Sequence, residues 1–189
     1  MTTAVSDTSE QQPATFTKGM ASTAIDEMLA SEVARIFEGY ERRLALSPHD
    51  DGNPRHWGES AQDWMLAEVY SLVRQLIGIR KKNAINRAIA RVPKGRKGRG
   101  DMRKHPFKQA LFLIFGKLMV PDSDSPIDRR RRSQLGDALA YANAHNVPAA
   151  YLNGFIKQAG VTKCRAKFLA GYEEPRSGRD DIIIITPRR

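Results

Sequence analysis

Along most of this chain the apolar side chains return every three or four residues. That spacing selects helices and leaves little room for a sheet. Ile25, Met28, Leu29, Val33, Ile36, Phe37, Tyr40 and Leu44 form one stripe. A second passes through Leu66, Val69, Tyr70, Val73, Ile77, Ala84, Ala88 and Val92, with Lys81 interrupting it. Phe107, Ala110, Leu111, Ile114, Phe115 and Leu118 form a third, and Phe112 and Leu113 make that segment apolar nearly all round. Residues so spaced share one helical face, which must be buried against another element. The expected fold is mostly α, with an acidic N-terminal helical pair, a basic connector and a C-terminal helical bundle ending in a short strand or tail.

Start and stop signals divide the chain further. Thr23 can cap the first helix with Asp26 three residues on, and Pro and Gly in 47–58 end it. Ser60 and Asp63 mark the second start, for a helix that either runs to about residue 91 or breaks near 80–82. Pro106 suits a first helical turn, since its missing N–H costs nothing there. Ser125, Pro126 and Asp128 mark another start, and Asn146, Val147 and Pro148 the stop of that helix. Residues 149–159 carry Leu152, Phe155, Ile156 and Ala159 on one face, and Gly160 can end them in a left-handed conformation. Thr162 can cap a short last helix that Gly171 closes. The four β-branched residues 182–185 read as one short strand. The divisions expected are a disordered leader (1–20), an acidic-to-basic helical region (21–92), a flexible basic connector (93–104), a helical domain (105–171) and a basic tail (172–189).

Charge is localised. Residues 80–105 hold eleven Lys or Arg and one acid, Asp101, for a net charge of +10, which is also the net charge of all 189 residues. The remainder therefore sums to zero, although residues 1–70 alone are at −7. Residues 93–100 (PKGRKGRG) have no apolar side chain and cannot join a core. A mobile cationic loop follows a phosphate backbone easily, and concentrated positive potential attracts polyanions by counterion release. The candidate nucleic-acid contacts here are Lys81, Lys82, Arg87, Arg91, Lys94, Arg96, Lys97, Arg99, Arg103 and Lys104. Arg129, Arg130, Arg131 and Arg132 join them. They follow a helix start, where positive charge opposes the macrodipole, so either an external anion or the acidic N-terminal region should meet them.

Other classes are disfavoured. The most apolar window, residues 107–120, is shorter than the ~20 residues a membrane span needs. The N-terminus has neither the basic nor the apolar region of a secretory signal. One cysteine, Cys164, excludes an internal disulfide and a cysteine-based zinc cluster, and suits the cytoplasm. It reads as a buried structural thiol. His49 and His56 flank a turn without metal-ligand spacing, and no phosphate-binding loop or dinucleotide fingerprint is present. No cofactor and no metal site is expected, and no enzymatic activity. Trp57 and Trp64 read as anchors of the N-terminal helices.

Residues 155–169 (FIKQAGVTKCRAKFL) resemble the helix-turn-helix of bacterial DNA-binding proteins. The resemblance spans residues 151–170 and not the whole chain. It implies that Ala159 and Gly160 end a first helix, Val161 and Thr162 form the turn, and Ala166 and Leu169 pin a recognition helix. Lys163, Arg165 and Lys167 would then reach phosphates or base edges. Ile156 departs from the small residue usual in that motif. Arg99 and His105 loosely resemble the Arg-x(4–6)-His pair of all-helical HEPN ribonucleases, in which the histidine would move protons and the arginine would stabilise a charged intermediate. Gly100 departs from that pattern.

The reading favoured is a nucleic-acid-binding protein, for double-stranded DNA, with a regulatory or accessory role such as transcription regulation and of a bacterial, plasmid or phage kind. The alternatives are an adaptor whose acidic and basic faces meet other proteins, and the ribonuclease. A homo-oligomer or a protein partner stays open, and no membrane is expected.

Overall fold

The computed structural model describes residues 12–45, 60–91, 105–115 and 127–171. Seven α-helices make up the fold there: α1 (Ser22–Ala45), α2 (Ala61–Gly78), α3 (Asn83–Arg91), α4 (Pro106–Phe115), α5 (Arg129–Ala144), α6 (Leu152–Ala159) and α7 (Val161–Leu169). A 3-10 turn, Ala149–Tyr151, precedes α6. The fold is all-α, and no strand occurs among the described residues. Residues 182–185, expected as a strand, lie outside them, as do the connector positions 93–104 and the turn carrying His49, His56 and Trp57.

The core forms around α4. Its Phe107, Ala110, Leu111, Leu113, Ile114 and Phe115 are all buried, because a helix apolar on every side needs neighbours on every side. Aromatic rings from the N-terminal helices meet it: Tyr40 stands edge-on to Phe115 at 5.1 Å between centroids, and Tyr70 stacks on Phe107 at 5.7 Å. From the other side α5 presents Leu135 and Leu139 to the same cluster. Helices before and after residues 92–104 thus share one core, with α4 packed against α1, α2, α3 and α5.

Local signals explain most boundaries. Ser60 caps α2, its hydroxyl accepting from the Asp63 amide at 3.1 Å. The long second stripe breaks where Arg80 takes a positive φ of 59°, so the alternative with a break near 80–82 is the one observed. Gly160 has φ 75° and ψ 133°, a backbone that L side chains rarely adopt. Asn146, with φ 54°, follows the end of α5.

Four expectations are corrected. Thr23 does not cap α1, which begins at Ser22, and the Asp26 carboxylate turns to α3 instead of to the first-turn amides. Asp128, not Ser125, caps α5, accepting from the Arg131 amide at 2.8 Å. Thr162 lies inside α7, whose N-cap position is Gly160. Finally, residues 12–20 of the expected disordered leader are held in place. Phe16 is buried, its amide donates to Gln75 Oε1 at 3.1 Å, and the Ala14 amide donates to Glu32 Oε1 at 2.9 Å. A single buried aromatic outweighs the polar composition around it.

Candidate nucleic-acid interface

Ion pairs inside the fold decide which cations remain for a partner. Asp26, buried on α1, takes two arginines of α3. Arg87 donates through Nη2 at 2.6 Å and through Nε at 3.2 Å, and Arg91 donates through Nη2 at 2.7 Å. Hydrogen bonding from Arg87 holds the Asp26 carboxyl below its ordinary range; burial acts the other way, and Arg91 adds to the lowering. The same bonds raise the Arg87 guanidinium. Arg87 and Arg91, singled out as nucleic-acid contacts, are therefore engaged internally, although Arg91 keeps 66% of its side chain exposed.

A second internal cluster ties α1 to α2. Arg35 bonds Glu32 in its own helix at 2.9 Å and reaches Glu68 on α2. Burial disfavours its charge, but the bonds to both glutamates outweigh that and raise its pKa. Lys157 at the end of α6 meets Asp63 at the start of α2, at 2.8 Å. Asp26, Glu32, Asp63 and Glu68 thus tie α1, α2, α3 and α6 to one another.

The four consecutive arginines diverge. Arg132 turns inward and donates to the Phe115 carbonyl at 2.6 Å, satisfying an oxygen at the C-terminal end of α4. Arg131 leans on Gln62 of α2 at 3.4 Å. Arg129 and Arg130 point outward and are exposed. The macrodipole cost at the start of α5 is relieved by Asp128 and by directing two arginines to neighbouring helices. What meets Arg131 is a neutral side chain of α2 and not an acidic one.

On α7 the inward positions differ from those the motif implies. Cys164 is fully buried against Ala138 and Tyr141, with Val161 and Phe168 packed beside it. Ala166 is exposed, and Leu169 is 61% exposed. Burial raises the Cys164 thiol, with Lys167 acting the other way. Phe168 meets His105, which precedes α4, edge-on at 5.4 Å. Arg165 faces Asp137 of α5, with Nε 3.4 Å from the carboxylate. Lys108 of α4 comes to 2.6 Å from the other oxygen. Lys163 is exposed and Lys167 half-buried. Ile156, the departure from the motif, is buried in the shared core.

Lys82 is exposed and Lys81 half-buried in the turn after α2, beside the exposed Arg80. Lys94, Arg96, Lys97, Arg99, Arg103 and Lys104 lie outside the described residues, so the Arg99–His105 pair is not seen together. Asp26, Gln62, Lys108 and Asp137 were not foreseen from the sequence as partners in these clusters. Only Asp137 carried a signal: it is an acid set between Leu135, Ala138 and Leu139, where a solvated face is not available.

Among the described residues no group of His, Cys, Asp and Glu could hold a metal ion, and no helix is long and apolar enough to cross a membrane. Comparison with protein-family models, with curated proteins and with solved structures finds no match to this chain.

Proposed function

We propose that this chain binds nucleic acid, double-stranded DNA in particular, as a regulatory or accessory protein acting in the cytoplasm. One observation carries the reading: five acids of the fold are engaged in internal ion pairs while a set of cations is left outward. Asp26, Glu32, Asp63, Glu68 and Asp137 all sit in ion pairs. Lys82, Arg129, Arg130 and Lys163 are exposed and pair with no acid among the described residues. To these the sequence adds six cations at 94–104, against Asp101 alone. A net charge of +10 then acts mainly outward, which favours polyanions over neutral partners.

Titration with a duplex at two salt concentrations tests this. Replacing Lys94, Arg96, Lys97 and Arg99 with alanine should weaken binding to any duplex about equally. It should also lower the salt slope by roughly 0.9 for each phosphate that is no longer neutralised. An unchanged slope would show that the segment only solubilises the chain.

A second reading, an adaptor with acidic and basic faces, is favoured by Glu27, Glu38 and Glu41, which α1 leaves exposed. Binding that survives high salt and is lost on reversing those three charges would select it.

A further inference from the structure

Asp137 is fully buried, yet it lies between two cations. Lys108 keeps 16% of its side chain exposed and Arg165 keeps 39%. Among the described residues neither Asp137 oxygen accepts a well-aligned hydrogen bond, and Arg165 Nε likewise has no aligned partner. The attraction across 2.6 and 3.4 Å is thus mainly coulombic. A carboxylate sealed from water is costly, and one carboxylate beside two cations leaves an excess positive charge.

The guanidinium is a planar fork with five N–H groups. Its Nε edge faces Asp137, and none of its terminal nitrogens bonds to an acceptor among the described residues. We propose that Asp137 is a positioning residue that orients Arg165, and that the open edge of Arg165 grips one backbone phosphate of bound DNA. A phosphate offers two oxygens to such an edge, the bidentate match for which arginine is suited and lysine is not. The proposal rests on the reading of the chain as a DNA-binding protein. It also gives Arg165 a different task from the one the motif implies. A side chain three-fifths covered and drawn against α5 is short of reach for a base edge deep in a groove, whereas phosphates line its rim. Arg130 continues the track: it is exposed, and seven residues before Asp137 it lies on the same stripe of α5, about 10 Å away.

The experiment compares wild type, Arg165→Ala, Arg165→Lys, Asp137→Asn and the double variant with Arg165→Ala and Asp137→Asn. Each is titrated with a duplex selected from random sequences and with a scrambled one, at several salt concentrations. Thermal melting of each variant is followed in parallel. If the wild type binds no duplex in a salt-dependent way, the DNA-binding reading fails and this proposal fails with it. Given wild-type binding, Arg165→Ala should lose about tenfold in affinity on both duplexes alike, and about 0.9 of salt slope. Arg165→Lys keeps the charge and should keep the slope, but lose most of the affinity that alanine loses. Asp137→Asn, compared at a temperature where it is folded, should lose affinity in wild-type Arg165 and lose nothing further in Arg165→Ala. Loss on the selected duplex alone would make Arg165 a base reader and overturn the proposal. So would unchanged affinity in Arg165→Ala, or full rescue by lysine.

Discussion

Two buried aspartates, Asp26 on α1 and Asp137 on α5, each hold a pair of cations, and the two clusters are built differently. At Asp26 the arginines come from one neighbouring helix and donate aligned bonds at 2.6 to 3.2 Å. At Asp137 the cations come from two helices, α4 and α7, and approach without aligned bonds. The first arrangement saturates its carboxylate: Arg87 gives three aligned bonds, while Arg91 gives one and stays 66% exposed. The second leaves an arginine edge open. On the proposal that Arg165 meets a phosphate, a buried acid either withdraws a basic residue from a partner, as Asp26 does Arg87, or aims one at it, and hydrogen-bond alignment separates the cases.

Removing each acid gives the largest contrast. Asp137→Ala should destabilise by about 3–5 kcal/mol, because it strands Lys108, which keeps only 16% of its side chain exposed. Asp26→Ala should cost less, about 1.5–3 kcal/mol: Arg87 and Arg165 are alike in exposure, at 37% and 39%, but Arg91 is 66% exposed and can turn to water where Lys108 cannot. Urea denaturation of both variants measures the difference. Equal losses would mean that burial of the acid alone sets the cost.

The seam beside Asp137 can be strained directly. A Cβ at Gly136 would come within 2.5 Å of Lys108 Cγ and 3.1 Å of Lys108 Cα, so α4 and α5 cross closely there. Gly136→Ala should cost about 1–2 kcal/mol net, overpacking of roughly 1–3 kcal/mol being offset by up to about 1 kcal/mol of helix propensity. A gain in stability would mean that the seam yields by moving Lys108 alone.

Acid titration sharpens the other side. The folded Asp26 carboxyl titrates below its unfolded value, chiefly through the Arg87 bond. Its contribution is thus fully present above the unfolded carboxylate pKa, about 4, and is lost as pH falls through the lower folded one. Unfolding free energy measured from pH 5 down to pH 2 should fall less steeply in Arg87→Gln than in wild type. Matching curves would place the acid sensitivity elsewhere.

The helices themselves were legible because apolar spacing is a local property. Ile25 to Tyr40, Leu66 to Val73 and Phe107 to Phe115 are buried along the stripes that their spacing marks. Ser60 and Gly160 were legible for the same reason, since a cap and a positive φ depend on adjacent residues. Thr23 with Asp26 has the form of a capping pair, yet Arg87, 61 residues away, takes the carboxylate. Arg165 finds its acid 28 residues earlier, and Phe16 meets Gln75 across 59 residues. No local pattern encodes such pairings, so the basic residues looked alike when they are not. The expected inward positions of α7 failed similarly: Cys164 and Phe168 face α5 and His105, and where those lie is set by the whole bundle.

The smallest predicted effects separate the two arginines that look most alike. Both Arg87 and Arg165 place Nε against a buried carboxylate, but only Arg87 adds Nη2, at 2.6 Å. A lysine keeps the charge and loses the fork, so substitution isolates what the fork contributes. Arg87→Lys removes aligned bonds to a charged acceptor and should cost about 1–2 kcal/mol. Arg165→Lys removes an approach at 3.4 Å without alignment and should change stability by no more than about 0.5 kcal/mol. Chemical denaturation of the two variants beside wild type is enough to test this. If Arg165→Lys proves the costlier, its guanidinium is bound more firmly than its geometry indicates. The contrast between a closed and an open cluster would then fail, whatever the two variants do to DNA binding.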